Sequence, residues 1–325
     1  MRWSIPKPVY YASIITTTVG TSYLIKDYLG GKKYEGQEDL KDKVVIVTGA
    51  SSGIGKETAR ELAARNAKVI LACRNKEKCE QARREIVVET KNKHVYCRKC
   101  DLASQENIRH FVNRFKKENS QLHILINNGG VMRCPKSYTK EGIEMQLGVN
   151  HMGHFLLTNL LLDVLKESAP SRIINVSSNA HLNAKLKVKD LNSMEKYDPS
   201  EAYGQSKLAN VLFTKELANK LKGTQVTVNA VHPGIVDTEI TRHMTIFKVL
   251  FLRYLIKPFI WPFIKSPKQG AQSILYVALD PSLENVTGSF FSNNEISNVS
   301  NEAKDDKLSK WLWLVSEKWT KLNVT

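Results

Sequence analysis

The stretch that most limits the fold is Val44–Thr48, a β-branched run that passes through Gly49-Ala50-Ser51-Ser52-Gly53-Ile54-Gly55 straight into an amphipathic pattern over 54–65. A strand that turns this tightly and enters a helix at once is the opening of a βαβ unit. From residue 43 onward the same alternation repeats. Further strand candidates are 68–72, 94–100, 123–127, 172–177, 225–231 and 288–291, and helical stretches at 76–90, 105–118, 142–166 and 202–222 separate them. Alternation on this scale predicts an α/β fold, a doubly wound parallel sheet of Rossmann type in a single domain. Ligands of such sheets bind beyond the carboxyl ends of the strands.

Gly49, Gly53 and Gly55 let the backbone approach a pyrophosphate, with Ser51, Ser52 and Ile54 completing the turn and the helix N-terminus favouring negative charge. A glycine cluster alone is only a turn; a strand before it and a helix after it point to dinucleotide binding. After the second strand candidate, an NAD site places an acid to accept from the ribose 2′-hydroxyl. Here Arg74 and Asn75 stand instead. The guanidinium suits a 2′-phosphate, so NADP(H) is the expected cofactor; an ordinary surface arginine is the plainer alternative.

Tyr203 and Lys207 lie four residues apart in the stretch 202–222 and so emerge from one helix face. An ammonium beside a phenol favours the phenolate and lowers its pKa from about 10, which suits the pair to proton exchange between an alcohol and a carbonyl. The spacing by itself is common on solvated helices.

Together, Thr48-Gly-x-x-x-Gly-Ile-Gly55 and Tyr203-x-x-x-Lys207 resemble the short-chain dehydrogenase/reductase superfamily. Its other landmarks follow in order: Asp101-Leu102, Asn127-Asn128-Gly129-Gly130, Asn150, Ser178 and Pro233-Gly234. The resemblance implies that Tyr203 is the general acid, that Lys207 depresses its pKa and binds the nicotinamide ribose, and that Ser178 donates to the substrate carbonyl. Ser177 is an alternative by proximity. It also implies that Asn150 holds a water in a proton relay. Asp101, Leu102, Asn128, Pro233, Gly234 and Thr238 become further cofactor contacts. His151, His154 and His232 receive no chemical role and are expected to be structural. Gly129, where the family usually has alanine, is expected to loosen its turn slightly.

Cys73-Arg74-Asn75, Val131-Met132-Arg133-Cys134-Pro135 and the run from Gly148 to Asn159 are similar to the retinol dehydrogenase branch. Within it, Leu24-Ile25-Lys26-Asp27-Tyr28 and the run from Ser168 to Asn175 are most similar to a mitochondrial form. The implied substrate is a hydrophobic carbonyl or alcohol, a retinoid first, with lipid aldehydes, steroids and polyprenoids sharing the same catalytic set. A non-catalytic dinucleotide-binding scaffold would have no need for all four of Asn150, Ser178, Tyr203 and Lys207. The helices 142–166 and 202–222 commonly form the dimer interface of the superfamily, which implies a homodimer.

The net charge of +16 asks for a partner. The basic residues are dispersed and no nucleic-acid motif accompanies them, so an anionic membrane surface is favoured over nucleic acid. The apolar segment 9–25, between Arg2 and Lys7 and then Lys26, is diluted by Thr16, Thr17, Thr18 and Thr21. Residues 1–29 are therefore read as an uncleaved anchor or a membrane-targeting helix, 30–42 as a linker, 43–300 as the domain and 301–325 as a C-terminal tail. The mitochondrial inner membrane follows from the resemblance, with the endoplasmic reticulum membrane as the alternative. The family's substrate lid falls within about 240–266. Its apolar run 246–264 suits an isoprenoid chain, and its Lys and Arg suit a headgroup layer or, equally, a buried pair of lid helices. Five cysteines fall short of a disulfide framework, and Cys97-x-x-Cys100 lacks a second pair at zinc spacing, so thiols and no metal are expected.

Overall fold

The computed structural model describes residues 6–238 and 264–322. The expected lid, apart from its last residues, lies outside the described residues. Seven strands form in the stretches the pattern indicates: β1 (Val44–Thr48), β2 (Lys68–Cys73), β3 (Val95–Lys99), β4 (Ile124–Asn127), β5 (Ser171–Val176), β6 (Val226–His232) and β7 (Phe290–Ser292). They pair in the order 3-2-1-4-5-6-7, all parallel. An eighth strand, β8 (Glu295–Ile296), adds antiparallel to β7 after a turn in which Asn293 and Asn294 take φ of 54° and 63°. Two exposed residues carry no periodicity, and the sequence pattern did not reveal this strand. The strand order reverses between β1 and β4, which opens a crevice at their carboxyl ends.

Helices cover both faces. Val45 and Val47 of β1 point into the core shared with α2 (Gly53–Ala64), α3 (Lys76–Thr90) and α8 (Pro267–Leu279). Val44 and Ile46 point the other way, into the core beneath α4 (Gln105–Glu118), α6 (Gly153–Glu167) and α7 (Pro199–Lys220). The period-2 alternation of a doubly covered strand is thus satisfied with apolar residues on both sides.

The expected single helix over 142–166 is interrupted. A short α5 (Met145–Leu147) leads into a π turn at Gly148–Met152 before α6 begins. Residues from 301 on, expected as a tail, instead fold onto the domain as α9 (Asn301–Lys304) and α10 (Asp306–Thr320). Leu308, Leu312, Val315 and Trp319 recur at helical spacing and pack with α7, while Trp313 meets Phe155 of α6 edge-on at 4.9 Å. The stretch 30–42, expected as a linker, is strapped to the body. Tyr34 N–H donates to Gln272 at 3.0 Å, Leu40 N–H to the Arg65 carbonyl at 2.7 Å, and Tyr34 and Leu40 are buried.

Before the strap, α1 (Lys7–Leu29) exposes Val9, Ile15, Val19 and Leu24, yet among the described residues no helix is long and apolar enough to cross a membrane. The cysteine expectation also needs correction. Cys79 on α3 and Cys97 on β3 form a disulfide, and Cys73, Cys100 and Cys134 stay outside it as buried thiols. The partners meet because α3 packs back across β3, which spacing alone does not reveal.

Candidate active site

A cleft of about 530 Å³ runs across the carboxyl ends of the strands. Gly49, Ser51, Ser52, Gly53, Ile54, Gly55, Arg74, Asp101, Leu102, Asn128, Ser178, Tyr203, Lys207, Pro233, Gly234 and Thr238 all line it. Of the residues given a catalytic or cofactor role from the sequence, Asn150 alone does not.

The turn after β1 is built for close backbone approach. Gly49 and Gly53 take φ of +64° and +57°, and a Cβ on Gly49 would fall 2.7 Å from the Gly129 Cα. Asn128 Nδ2 donates to the Thr48 carbonyl at 2.9 Å, and the N–H groups of Asn128 and Gly129 donate to Thr48 Oγ1 at 2.9 and 2.8 Å. The turn at Gly129 is therefore held rather than loosened, and a Cβ there would crowd Leu102 Cδ1 at 2.8 Å. Ser52 makes no side-chain cap to α2, and the first turn of α2 carries no acid. Its N-terminal N–H groups and dipole are left to an anion, which fits a pyrophosphate.

At the far end, Arg74 is joined by Lys78, one turn into α3. Sequence reasoning missed Lys78, which the first turn of α3 brings to the same cleft as Arg74. Asp101 accepts from Ala103 N–H at 3.0 Å, which fixes its carboxylate beside Leu102. Two cations at this end fit a phosphate-bearing ribose better than a bare one. Thr238 reaches back across the cleft, its Cγ2 3.0 Å from the place a Gly53 Cβ would take.

At the other end stand Ser178, Tyr203 and Lys207. Ser177 Oγ is committed to the Lys207 carbonyl at 2.8 Å, which separates it from Ser178, the N-cap of the short turn at Asn179–Asn183. His181 Nδ1 holds the Ser178 carbonyl at 2.7 Å. Tyr203 keeps part of its surface on the cleft, but burial pushes its pKa up to about 12, opposed by a hydrogen bond with Ser178 and by the Arg133 charge. This reverses the expected direction. Lys207 Nζ donates to the Val176 carbonyl at 3.0 Å, and burial lowers its own pKa to about 8. Arg133, which the sequence reading quoted in a family-like run but gave no role, lines the cleft from a backbone of φ 50° pinned by Gln146 Oε1 at 2.7 Å.

Asn150 is buried behind these groups. Its Nδ2 donates to the Val131 carbonyl and to Ser206 Oγ, each at 2.9 Å, and its Oδ1 accepts from Val131 N–H at 2.9 Å. Ser206 Oγ in turn donates to the Tyr203 carbonyl at 2.7 Å. The amide therefore ties the loop carrying Arg133 to the helix turn carrying Tyr203. A Cβ on Gly130 would lie 3.2 Å from Asn150 Oδ1 and 3.8 Å from Lys207 Nζ, so only glycine leaves that gap open. His151 and His232 are held neutral by burial, down to about 3 and about 4.

The model of the short chain dehydrogenase family matches residues 43–246. Over 305 residues the chain is 50% identical to Mus musculus retinol dehydrogenase 13, with 94% of this chain and 91% of the relative covered. Among solved structures it is similar to an uncharacterised Mycobacterium paratuberculosis protein, at 34% identity and TM-score 0.72, over 90% of this chain and 98% of that one. It is also similar to Pseudomonas aeruginosa RhlG in an NADP active-site complex, at 25% identity and TM-score 0.63, over 78% and 95%.

Proposed function

The chain belongs to the short-chain dehydrogenase family, and on that premise we propose that it is an NADP(H)-dependent retinol dehydrogenase whose main reaction is the reduction of all-trans-retinaldehyde. One observation carries the reading: a single cleft holds Arg74 and Lys78 at one end and Ser178 with Tyr203 at the other. The family uses a nicotinamide dinucleotide, which when bound supplies the hydride. The α2 N-terminus and the 49–55 turn would hold its pyrophosphate, and Arg74 with Lys78 its 2′-phosphate. The NADP complex of RhlG and the long identity to retinol dehydrogenase 13 support the cofactor and the retinoid respectively.

Tyr203, protonated throughout the neutral range, gives its proton to the carbonyl oxygen while Ser178 donates to the same oxygen. A tyrosine held in the acid form suits reduction better than oxidation. Lys207 binds the ribose, and Asn150 serves the relay by fixing the loop and helix that flank it. Exposed α1 rests on a membrane surface, that of the mitochondrial inner membrane or alternatively the endoplasmic reticulum. A homodimer through α6 and α7 would form beside α10, which already packs on both.

NADPH oxidation by the purified protein against all-trans-retinaldehyde, a steroid ketone, a lipid aldehyde and a polyprenoid aldehyde tests this, with Tyr203→Phe alongside. Retinaldehyde is expected to be turned over, and Tyr203→Phe to bind NADPH without turnover. Exclusive turnover of another carbonyl would replace the substrate, and failure to bind NADPH would sink the cofactor.

A further inference from the structure

His154 points inward from the first turn of α6, just past the π turn that carries Asn150, and is buried. Both ring nitrogens are engaged, Nδ1 with the Asn150 carbonyl at 3.0 Å and Nε2 with Thr48 Oγ1 at 2.9 Å. A carbonyl can only accept, so Nδ1 carries the proton. Burial lowers the imidazole pKa to about 4, so the ring is neutral and Nε2 is bare. The Thr48 hydroxyl must then donate to Nε2, in preference to the Ile126 carbonyl at 3.3 Å. Its two lone pairs are taken by the N–H groups of Asn128 and Gly129, at 2.9 and 2.8 Å. The Asn128 N–H is shared with the Ile126 carbonyl at 3.0 Å, but the directions of the bonds that join His154 to Thr48 and to Asn150 are fixed.

That arrangement joins two halves of the cleft. Thr48 ends β1 and starts the 49–55 turn, which faces the pyrophosphate. Asn150 is tied through Val131 to the Arg133 loop and through Ser206 to the turn of Tyr203. We propose that His154 is a positioning residue that couples the dinucleotide cradle, through Thr48 Oγ1, to the proton-handling turn, through the Asn150 carbonyl. The inference rests on the reading of this cleft as a dinucleotide-dependent carbonyl reductase.

The two bonds can be separated. His154→Phe fills the volume and removes both. His154→Asn places an amide N–H where Nδ1 stands and leaves the Thr48 hydroxyl only the longer contact to the Ile126 carbonyl at 3.3 Å. His154→Gln places an amide oxygen where Nε2 stands and removes the ring's bond to the Asn150 backbone carbonyl. NADPH dissociation constants by fluorescence titration, kcat for retinaldehyde at saturating NADPH, and urea midpoints are measured on the full chain. His154→Phe is expected to lose about tenfold in both NADPH affinity and kcat, the scale of one buried hydrogen bond each. His154→Gln should recover NADPH affinity but not kcat, and His154→Asn kcat but not affinity. If His154→Phe fails to fold, the opposite pattern of the two amides decides alone. Equal losses in both readouts for the two amides, or a Phe variant within twofold of wild type, would overturn the coupling. A wild-type chain that binds no NADPH overturns the parent reading instead.

Discussion

Lys207 directs its Nζ at the Val176 carbonyl, 3.0 Å away, and stands 5.7 Å from the ring centre of Tyr203. The two side chains share a helix face, as their spacing requires, yet the protein around each sets its proton affinity. Burial raises the phenol and lowers the ammonium. Both shifts favour the neutral form, and they keep Tyr203 a proton donor at neutral pH.

Lys207 is consequently a stability cost. Its folded pKa of about 8 lies below the 10.5 of the free side chain, so below pH 8 the fold carries a buried charge worth up to about 3 kcal/mol. The Val176 carbonyl also accepts from Asn210 Nδ2 at 3.2 Å and is not orphaned when the ammonium goes. Lys207→Met should abolish turnover yet raise the urea midpoint at pH 7. Between pH 8 and 10.5 the unfolded chain binds more protons than the folded one, so wild type gains stability and the variant's advantage shrinks. A variant less stable than wild type at pH 7 would show that the hydrogen bond outweighs desolvation.

Arg74 and Lys78 make a testable pair on cofactor choice. A charge-assisted phosphate contact is worth roughly 1.5–3 kcal/mol, so Arg74→Asp should raise the KM for NADPH about 10- to 100-fold and improve the use of NADH. Lys78→Ala should weaken NADPH alone, by less. An unchanged NADPH-to-NADH ratio in Arg74→Asp would make Arg74 a surface residue.

The parts legible in the sequence are those that local periodicity encodes. Val44–Thr48 is buried on both faces and reads as an apolar run, and the glycine turn and Tyr203 with Lys207 follow directly. What escaped depends on residues far apart in the chain. The π turn at Gly148–Met152 surrounds an Asn150 bonded to Val131 and Ser206, and nothing in residues 142–166 alone marks that break. The direction of the Tyr203 shift depends on how deeply α7 is buried, which a four-residue spacing cannot convey. The stripe on α10 was visible in principle; only its docking onto α6 and α7 shows that it belongs to the core.

The Cys79–Cys97 disulfide closes 18 residues between α3 and β3. Loop closure on that scale contributes about 3 kcal/mol. Cys79→Ala should lower the urea midpoint accordingly, and dithiothreitol should lower that of wild type but not that of the variant. Thiol titration of unfolded, unreduced protein should find the three of Cys73, Cys100 and Cys134. Five would show that the bond does not form.

Trp313 tests whether α10 is part of the folded core. Its indole meets Phe155 edge-on at 4.9 Å and Phe213 at 5.9 Å, and Lys220 Nζ lies 4.6 Å above its ring. Trp313→Ala should therefore cost about 3–5 kcal/mol, the range for a buried aromatic truncation. The indole N–H, however, finds no acceptor among the described residues, and an unsatisfied buried donor costs roughly 1–3 kcal/mol. Trp313→Phe removes that donor while keeping most of the ring contact, so it should fall within about 1.5 kcal/mol of wild type. No residue of α10 lines the cleft, and both variants should bind NADPH within about twofold of wild type once folded. Urea unfolding with an NADPH titration at low denaturant separates these outcomes. A loss below about 1 kcal/mol in Trp313→Ala would mean that α10 contributes little to the core it covers.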